Sequence, residues 1–188
     1  MGVTITEHGI EIVAEYASIE THFTVNERLR IVEGEHGFEL NSVPIEPWTK
    51  NYDYFCCDRP AMWKRRFDTS NWKIFLSRDA GQRTGGAVVA WKTPNLDMLG
   101  GRSDTACLWG IRIAPAHRGR GMGHRLFSAV EEWARNHEVR RLVVETQDIN
   151  VPACRFYAAQ GCSLIAVNPE AYPPDIDEVQ LIWEKQLR

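Results

Sequence analysis

The chain has 188 residues, 44% of them hydrophobic and 25% charged, with a formal net charge of −3. That length suits one well-cored domain and is short for two, and the composition is ordinary for a globular protein. The slight negative charge, with no basic face, argues against a nucleic-acid partner, and the absence of any long apolar run argues against a membrane one.

In chain order, the opening MGVTITEHGIEI is mixed and acidic, unlike a secretory leader, which points to the cytoplasm. Phe23, Val25, Leu29 and Ile31, then Phe38 and Leu40, alternate around a Gly34-Glu35-His36-Gly37 turn, so a long hairpin is expected. Residues 44–63 are polar and aromatic without a periodic signal, and Arg65 and Arg66 lead into Phe67. A second hairpin is expected from residues 72–76 and 84–91 across Asp79-Ala80-Gly81-Gln82, followed by a glycine-containing loop over 92–104. From Thr105 the pattern changes to alternating strand and helix. A strand carrying Leu108, Trp109, Ile111 and Ile113 stops at Pro115, and a helix follows over 121–137. Then come a strand over 141–145, a helix over 151–160 ended by Gly161, and strands over 163–167 and 179–184. Antiparallel strands first and βαβ units later make an α+β fold with a mixed central sheet flanked by helices, in one domain over 1–188.

The junction near residue 118 carries the chemistry. A helix N-terminus has partial positive charge and N–H groups without partners, so acidic residues are favoured there. Here His117, Arg118, Arg120, His124 and Arg125 crowd the position instead. An anion on the helix end would resolve that conflict, and Gly119, Gly121 and Gly123 would let main chain approach a bulky phosphate. A P-loop is excluded because no G-K-[ST] follows at the required spacing. A dinucleotide turn stays open: Glu145 closes the next strand about twenty residues on, although His124 or Leu126 stands where the third glycine belongs.

Five cysteines, Cys56, Cys57, Cys107, Cys154 and Cys162, are an odd number with no metal spacing, which suits reduced thiols and no bound metal. Cys107 and Cys154 are expected near the proposed anion site, so a thiol nucleophile is open, but no His marks a partner. Trp48, Trp63, Trp72 and Trp91 read as core or cleft wall. Tyr52, Asp53, Tyr54, Asp104 and Tyr172 are candidates to line a cleft.

The run Arg118-Gly119-Arg120-Gly121-Met122-Gly123 resembles the (Q/R)-x-x-G-x-(G/A) signature of the GCN5-related N-acetyltransferases, whose loop binds the pyrophosphate of acetyl-coenzyme A. ETQDINVPACRFYAAQGCSLI is similar to that family's next motif, with Asn150, Ala153, Tyr157 and Gly161 in register. TSNWKIF, TPNLDMLGGRSD, ETQDINVPACRFYA and QLIW resemble its streptothricin acetyltransferase branch, over roughly residues 50 to 188.

The resemblance implies an N-acetyltransferase that moves acetyl from acetyl-coenzyme A, the donor substrate, to a primary amine of a small cationic molecule, streptothricin-like or a polyamine, in a ternary complex. The implied cofactor contacts are the main chain of Ile111, Arg112 and Ile113, the loop Arg118, Gly119, Arg120, Gly121, Met122, Gly123 and His124, and Asn150, which also suits a helix cap. Tyr157 matches the tyrosine that protonates the departing sulfur, with ring packing beside Phe156 as its structural alternative. Related enzymes often carry a carboxylate where this chain has Gly110, so the amine-side carboxylate must come from elsewhere. Glu145 is the first candidate and Asp148 the second, acting as base or as ammonium receptor; a purely structural role for Glu145, holding loop N–H groups or an arginine, is the alternative. The partners expected are a small-molecule amine, no nucleic acid and no membrane, with a homodimer left open. Gly110 also keeps open a non-enzymatic acyl-coenzyme A sensor, and the glycine turn a nicotinamide-dependent reductase.

Overall fold

The computed structural model describes residues 2–35, 37–54 and 59–187, so His36, Cys56 and Cys57 lie outside the described residues. Strand β1 (Thr4–His8) and helix α1 (Val13–Ala17) precede a hairpin of β2 (Phe23–Gly34) and β3 (Gly37–Lys50). Helix α2 (Trp63–Arg66) leads to a second hairpin, β4 (Lys73–Asp79) and β5 (Gln82–Trp91). Then follow β6 (Thr105–Ile113), α3 (Met122–Asn136), β7 (Arg141–Gln147), α4 (Val151–Ala159), β8 (Ser163–Asn168) and β9 (Gln180–Gln186). This is the expected α+β order. The chain forms two compact units, residues 1–21, 51–143 and 186–188 in one and 22–50 and 144–185 in the other.

In the first unit the strand order is β1-β4-β5-β6-β7. Neighbours are antiparallel up to β6, while Thr105–Cys107 of β6 run parallel to Arg141–Val143 of β7. A parallel neighbour needs a crossover, and α3 supplies it. Its apolar stripe of Leu126, Phe127, Val130 and Trp133 is buried, and the helix packs on β4, β5 and β6. Trp63 and Trp72 are core residues, as their composition suggested, with ring centroids 5.6 Å apart; the Trp72 indole N–H donates to Thr93 Oγ1 at 2.9 Å. The β5–β6 ladder slips by one residue, from Val88 opposite Gly110 to Val89 opposite Leu108, so Trp109 is the extra residue of a bulge.

In the second unit β7, β9 and β8 are neighbours, and β2 pairs with β3 separately. The β2–β3 hairpin is longer than expected, reaching Lys50 through Pro44 and Pro47. Val25 faces Trp48 and Glu27 faces Pro44, so residues 45–47 stand against Asn26 alone. Such a bulge requires fewer ladder N–H groups, which is why proline is tolerated there. Trp48 is 42% exposed and so departs from the core expectation. Lys50 and Glu178, both buried, form an ion pair, and the Trp183 indole N–H donates to Thr146 Oγ1 at 2.8 Å. No described helix is long and apolar enough to cross a membrane.

Candidate functional site

The sequence-derived residues fall into two groups, Ile111–Ile113 with residues 118–124 in the first unit, and Glu145, Asn150 and Tyr157 in the second. In the first group β6 ends at Ile113, a single 3-10 turn (Pro115–His117) redirects the chain, and α3 begins at Met122. Its N-cap is Gly121 with φ +75°, which makes no side-chain cap bond, and no acidic residue stands in the first turn. Gly119 has φ +70°, and a Cβ on either glycine would meet nothing within 4 Å. The left-handed backbone, rather than crowding, is therefore what calls for glycine here. Gly123 is an ordinary helical residue, so only the close-approach argument applies to it.

Arg120, His124 and Arg125 are exposed at this helix end. Arg118 is partly committed, because its Nε donates to Ile113 O at 3.1 Å, tying the loop back to the strand. A cleft of about 540 Å³ opens beside the turn, lined by Ser18–Glu20, Arg83 and Ala114–His117. Uncapped N–H groups, exposed guanidinium and imidazole groups and an open glycine surface give this end of α3 the physical character of an anion receptor.

The side chain of Arg112 has another task. It is buried, forks onto the Asp53 carboxylate at 2.7 and 3.2 Å, and also donates to Ala17 O and Ile19 O. Asp53 in turn accepts from Thr21 Oγ1 at 3.1 Å. The guanidinium lies 4.8 Å from the Tyr16 ring centroid. Only the main chain of Arg112 is left for a ligand, and Asp53, a candidate for the cleft, serves as a counter-ion. Tyr16 also accounts for Gly110: a Cβ built there would lie 2.7 Å from the Tyr16 hydroxyl oxygen. A side chain at 110 would therefore have to displace the buried Tyr16 ring. The glycine inside a strand signalled close approach, but no local pattern named Tyr16, 94 positions earlier, as the group approaching. Burial raises the Tyr16 phenol above its usual range, with the Arg112 charge opposing that shift.

In the second unit Asn150 caps α4, its Oδ1 accepting from Ala153 N at 3.3 Å. Tyr157 is buried in the middle of that helix, its ring 5.1 Å from that of Phe156. Cys154 is buried against Thr146 Oγ1 at 3.3 Å, and burial pushes its thiol up to about 11, so it stays protonated and is no nucleophile at neutral pH. Asp148 is also committed: Arg28 holds it at 2.8 Å and its other oxygen accepts from Val179 N at 2.8 Å.

Glu145 differs from both. It is half-buried on β7, accepting from the Tyr172 hydroxyl at 2.7 Å on Oε1 and from Gln180 Nε2 at 2.8 Å on Oε2. Among the described residues, neither loop N–H groups nor an arginine are its partners. Among the described residues no group of three or more His, Cys, Asp or Glu side chains is gathered for a metal.

The sequence profile of the Acetyltransferase (GNAT) family matches residues 42–162, more than half of the chain. A streptothricin acetyltransferase of Escherichia coli is 29% identical over 176 residues, covering 92% of this chain and 90% of that protein. Streptothricin acetyltransferase A of Bacillus subtilis is 36% identical over 75 residues, 39% of this chain and 43% of that one. Among solved structures, a protein of Bacillus anthracis str. Ames described as a streptothricin acetyltransferase in complex with acetyl coenzyme A superposes with TM-score 0.79 at 21% identity, over 98% of this chain and 99% of its own. A nourseothricin acetyltransferase gives 0.75 at 22% identity over the whole of both chains. The β6 strand, the glycine turn and α3 lie inside the matched span, and the chain belongs to the acetyltransferase (GNAT) family.

Proposed function

We propose that the protein transfers acetyl from acetyl-coenzyme A to a primary amine of a small cationic molecule, streptothricin-like or a polyamine, by direct attack in a ternary complex. The observation that carries this reading is the uncapped, acid-free N-terminus of α3 behind a basic glycine turn, which suits a diphosphate. The names of the relatives supply the acceptor class. Family membership also displaces the reductase reading, and Tyr16 gives Gly110 a packing reason that removes the motive for a sensor without turnover.

In this proposal the main chain of residues 118–124 holds the diphosphate, and the main chain of Ile111–Ile113 and the Asn150 side chain hold the pantetheine arm. The amine nitrogen forms a bond to the acetyl carbon while the carbon–sulfur bond breaks. Tyr157 gives its phenolic proton to the sulfur, and Glu145 receives, directly or through one water, the proton that nitrogen loses. Solvent exchange returns both groups to their starting states. The whole chain, 1–188, acts as one acetyltransferase domain in the cytoplasm; Cys107, Cys154 and Cys162, buried and outside any disulfide, suit a reducing compartment.

Replacing Tyr157 with phenylalanine keeps the ring in the core and removes only the proton donor. Turnover with streptothricin should fall about a hundredfold, the low end for a general acid because a thiolate is already a good leaving group. Thiol release measured beside calorimetry with acetyl-coenzyme A tests this: unchanged cofactor affinity is expected, and wild-type turnover in the variant would remove Tyr157 from the chemistry.

A further inference from the structure

Within the second unit, several carboxylates are paired with cations. Asp148 has Arg28 at 2.8 Å, Glu27 has Arg155 at 2.8 Å, and Glu178 has Lys50. Glu145 differs from these: among the described residues no Lys, Arg or His pairs with it. Three neutral side chains surround it instead. Tyr172 donates to Oε1 at 2.7 Å and itself accepts from Gln147 Nε2 at 2.8 Å, so the phenol is oriented from behind. Gln180 donates to Oε2 at 2.8 Å, and Gln147 Nε2 also lies 3.4 Å from Oε1.

A carboxylate offers about four lone-pair directions, so these donors fix its plane and leave acceptor capacity unused. Neutral donors immobilise the group without cancelling its charge, whereas an arginine would do both. The Tyr172 phenol is suited to this, since burial and the adjacent Glu145 charge hold it well above the usual range and keep it a donor. A half-buried anion fixed in this way and lacking a protein cation is prepared for one brought by a ligand.

We propose that Tyr172 and Gln180 are positioning residues that hold Glu145 as the recognition carboxylate for an alkylammonium group of the acceptor. The inference rests on the acetyltransfer reading for the identity of the acceptor, but not for the existence of the cation subsite.

The test uses the full-length protein with streptothricin as the probe, in wild type, Tyr172→Phe, Gln180→Leu and Glu145→Gln. Deleting either neutral donor to a charged group should raise KM for streptothricin about tenfold, with KM for acetyl-coenzyme A and Tm unchanged. Glu145→Gln should raise it further. Unchanged KM for streptothricin in both donor variants would overturn the proposal, as would equal increases in both KM values with a lowered Tm, the mark of a merely structural network. Calorimetry with streptothricin or spermidine alone separates the two readings. Binding by the wild type without thiol release once acetyl-coenzyme A is added would sink acetyltransfer yet still let the variants report on the subsite, whereas no binding by the wild type of either streptothricin or spermidine would overturn the subsite itself.

Discussion

Valine at position 121 should cost the protein about a hundredfold or more in affinity for acetyl-coenzyme A while leaving it folded. Gly121 holds φ +75°, a conformation that a β-branched residue adopts only with strain of about 1–2 kcal/mol. No atom lies within 4 Å of its added Cβ, so packing in the free protein does not resist the change. The loss falls on the ligand. A side chain would project into the space meant for the diphosphate and turn the adjoining N–H groups away, and two hydrogen bonds to a charged group at about 1.5 kcal/mol each correspond to roughly that hundredfold. Calorimetry and thermal melting on one sample check both halves: lost binding with a small Tm shift is expected, and unchanged affinity would contradict the assignment of this turn.

Asp148→Ala should be far more destabilising than Asp177→Ala. Arg28 reaches two carboxylates at the same 2.8 Å distance, but the Asp148 side chain is 2% exposed and that of Asp177 is 93% exposed. Water screens the outer pair, whereas removing the inner carboxylate leaves a partly buried guanidinium with only its solvent-screened partner and unpairs the Val179 N–H. Discounted for the 25% exposure of Arg28, the expected loss is about 3 kcal/mol, or about 6–12 °C in Tm for a chain of this size. Asp177→Ala should cost under about 1 kcal/mol. Equal melting shifts in the two variants would mean that burial does not decide the strength of this network.

What could be read from the sequence was what depends on neighbours in the chain. The α3 stripe, the Ala80-Gly81 turn and the basic glycine bend each put their signal into a dozen residues or fewer, and each occurs where its pattern indicated. The first twenty residues gave no such signal. β1 is five residues at the edge of a sheet, and α1 is too short to repeat an apolar stripe, yet Tyr16 on α1 determines why position 110 is glycine. Long-range charge pairing was equally hidden. Arg28 and Asp148 are 120 positions apart, so Asp148 looked like a base candidate until its partner was in place. The prolines at 44 and 47 lie in the stretch that carried no periodic signal, yet both belong to β3, whose ladder is interrupted by a bulge there. For Tyr157 and Asn150 the motif marked the positions and for Glu145 the end of an apolar strand did, while the partners of Glu145, Tyr172 and Gln180, come from a loop and a strand 27 and 35 residues away.

The claim on which the chemistry depends is that the bend before α3 holds a diphosphate. A crystal structure of the protein grown with acetyl-coenzyme A tests it most directly. The expected result is diphosphate oxygens at hydrogen-bond distance, about 2.7–3.2 Å, from the main-chain N–H groups of residues 119–123. Acetyl-coenzyme A bound elsewhere on the protein, with its diphosphate far from that bend, would contradict the account.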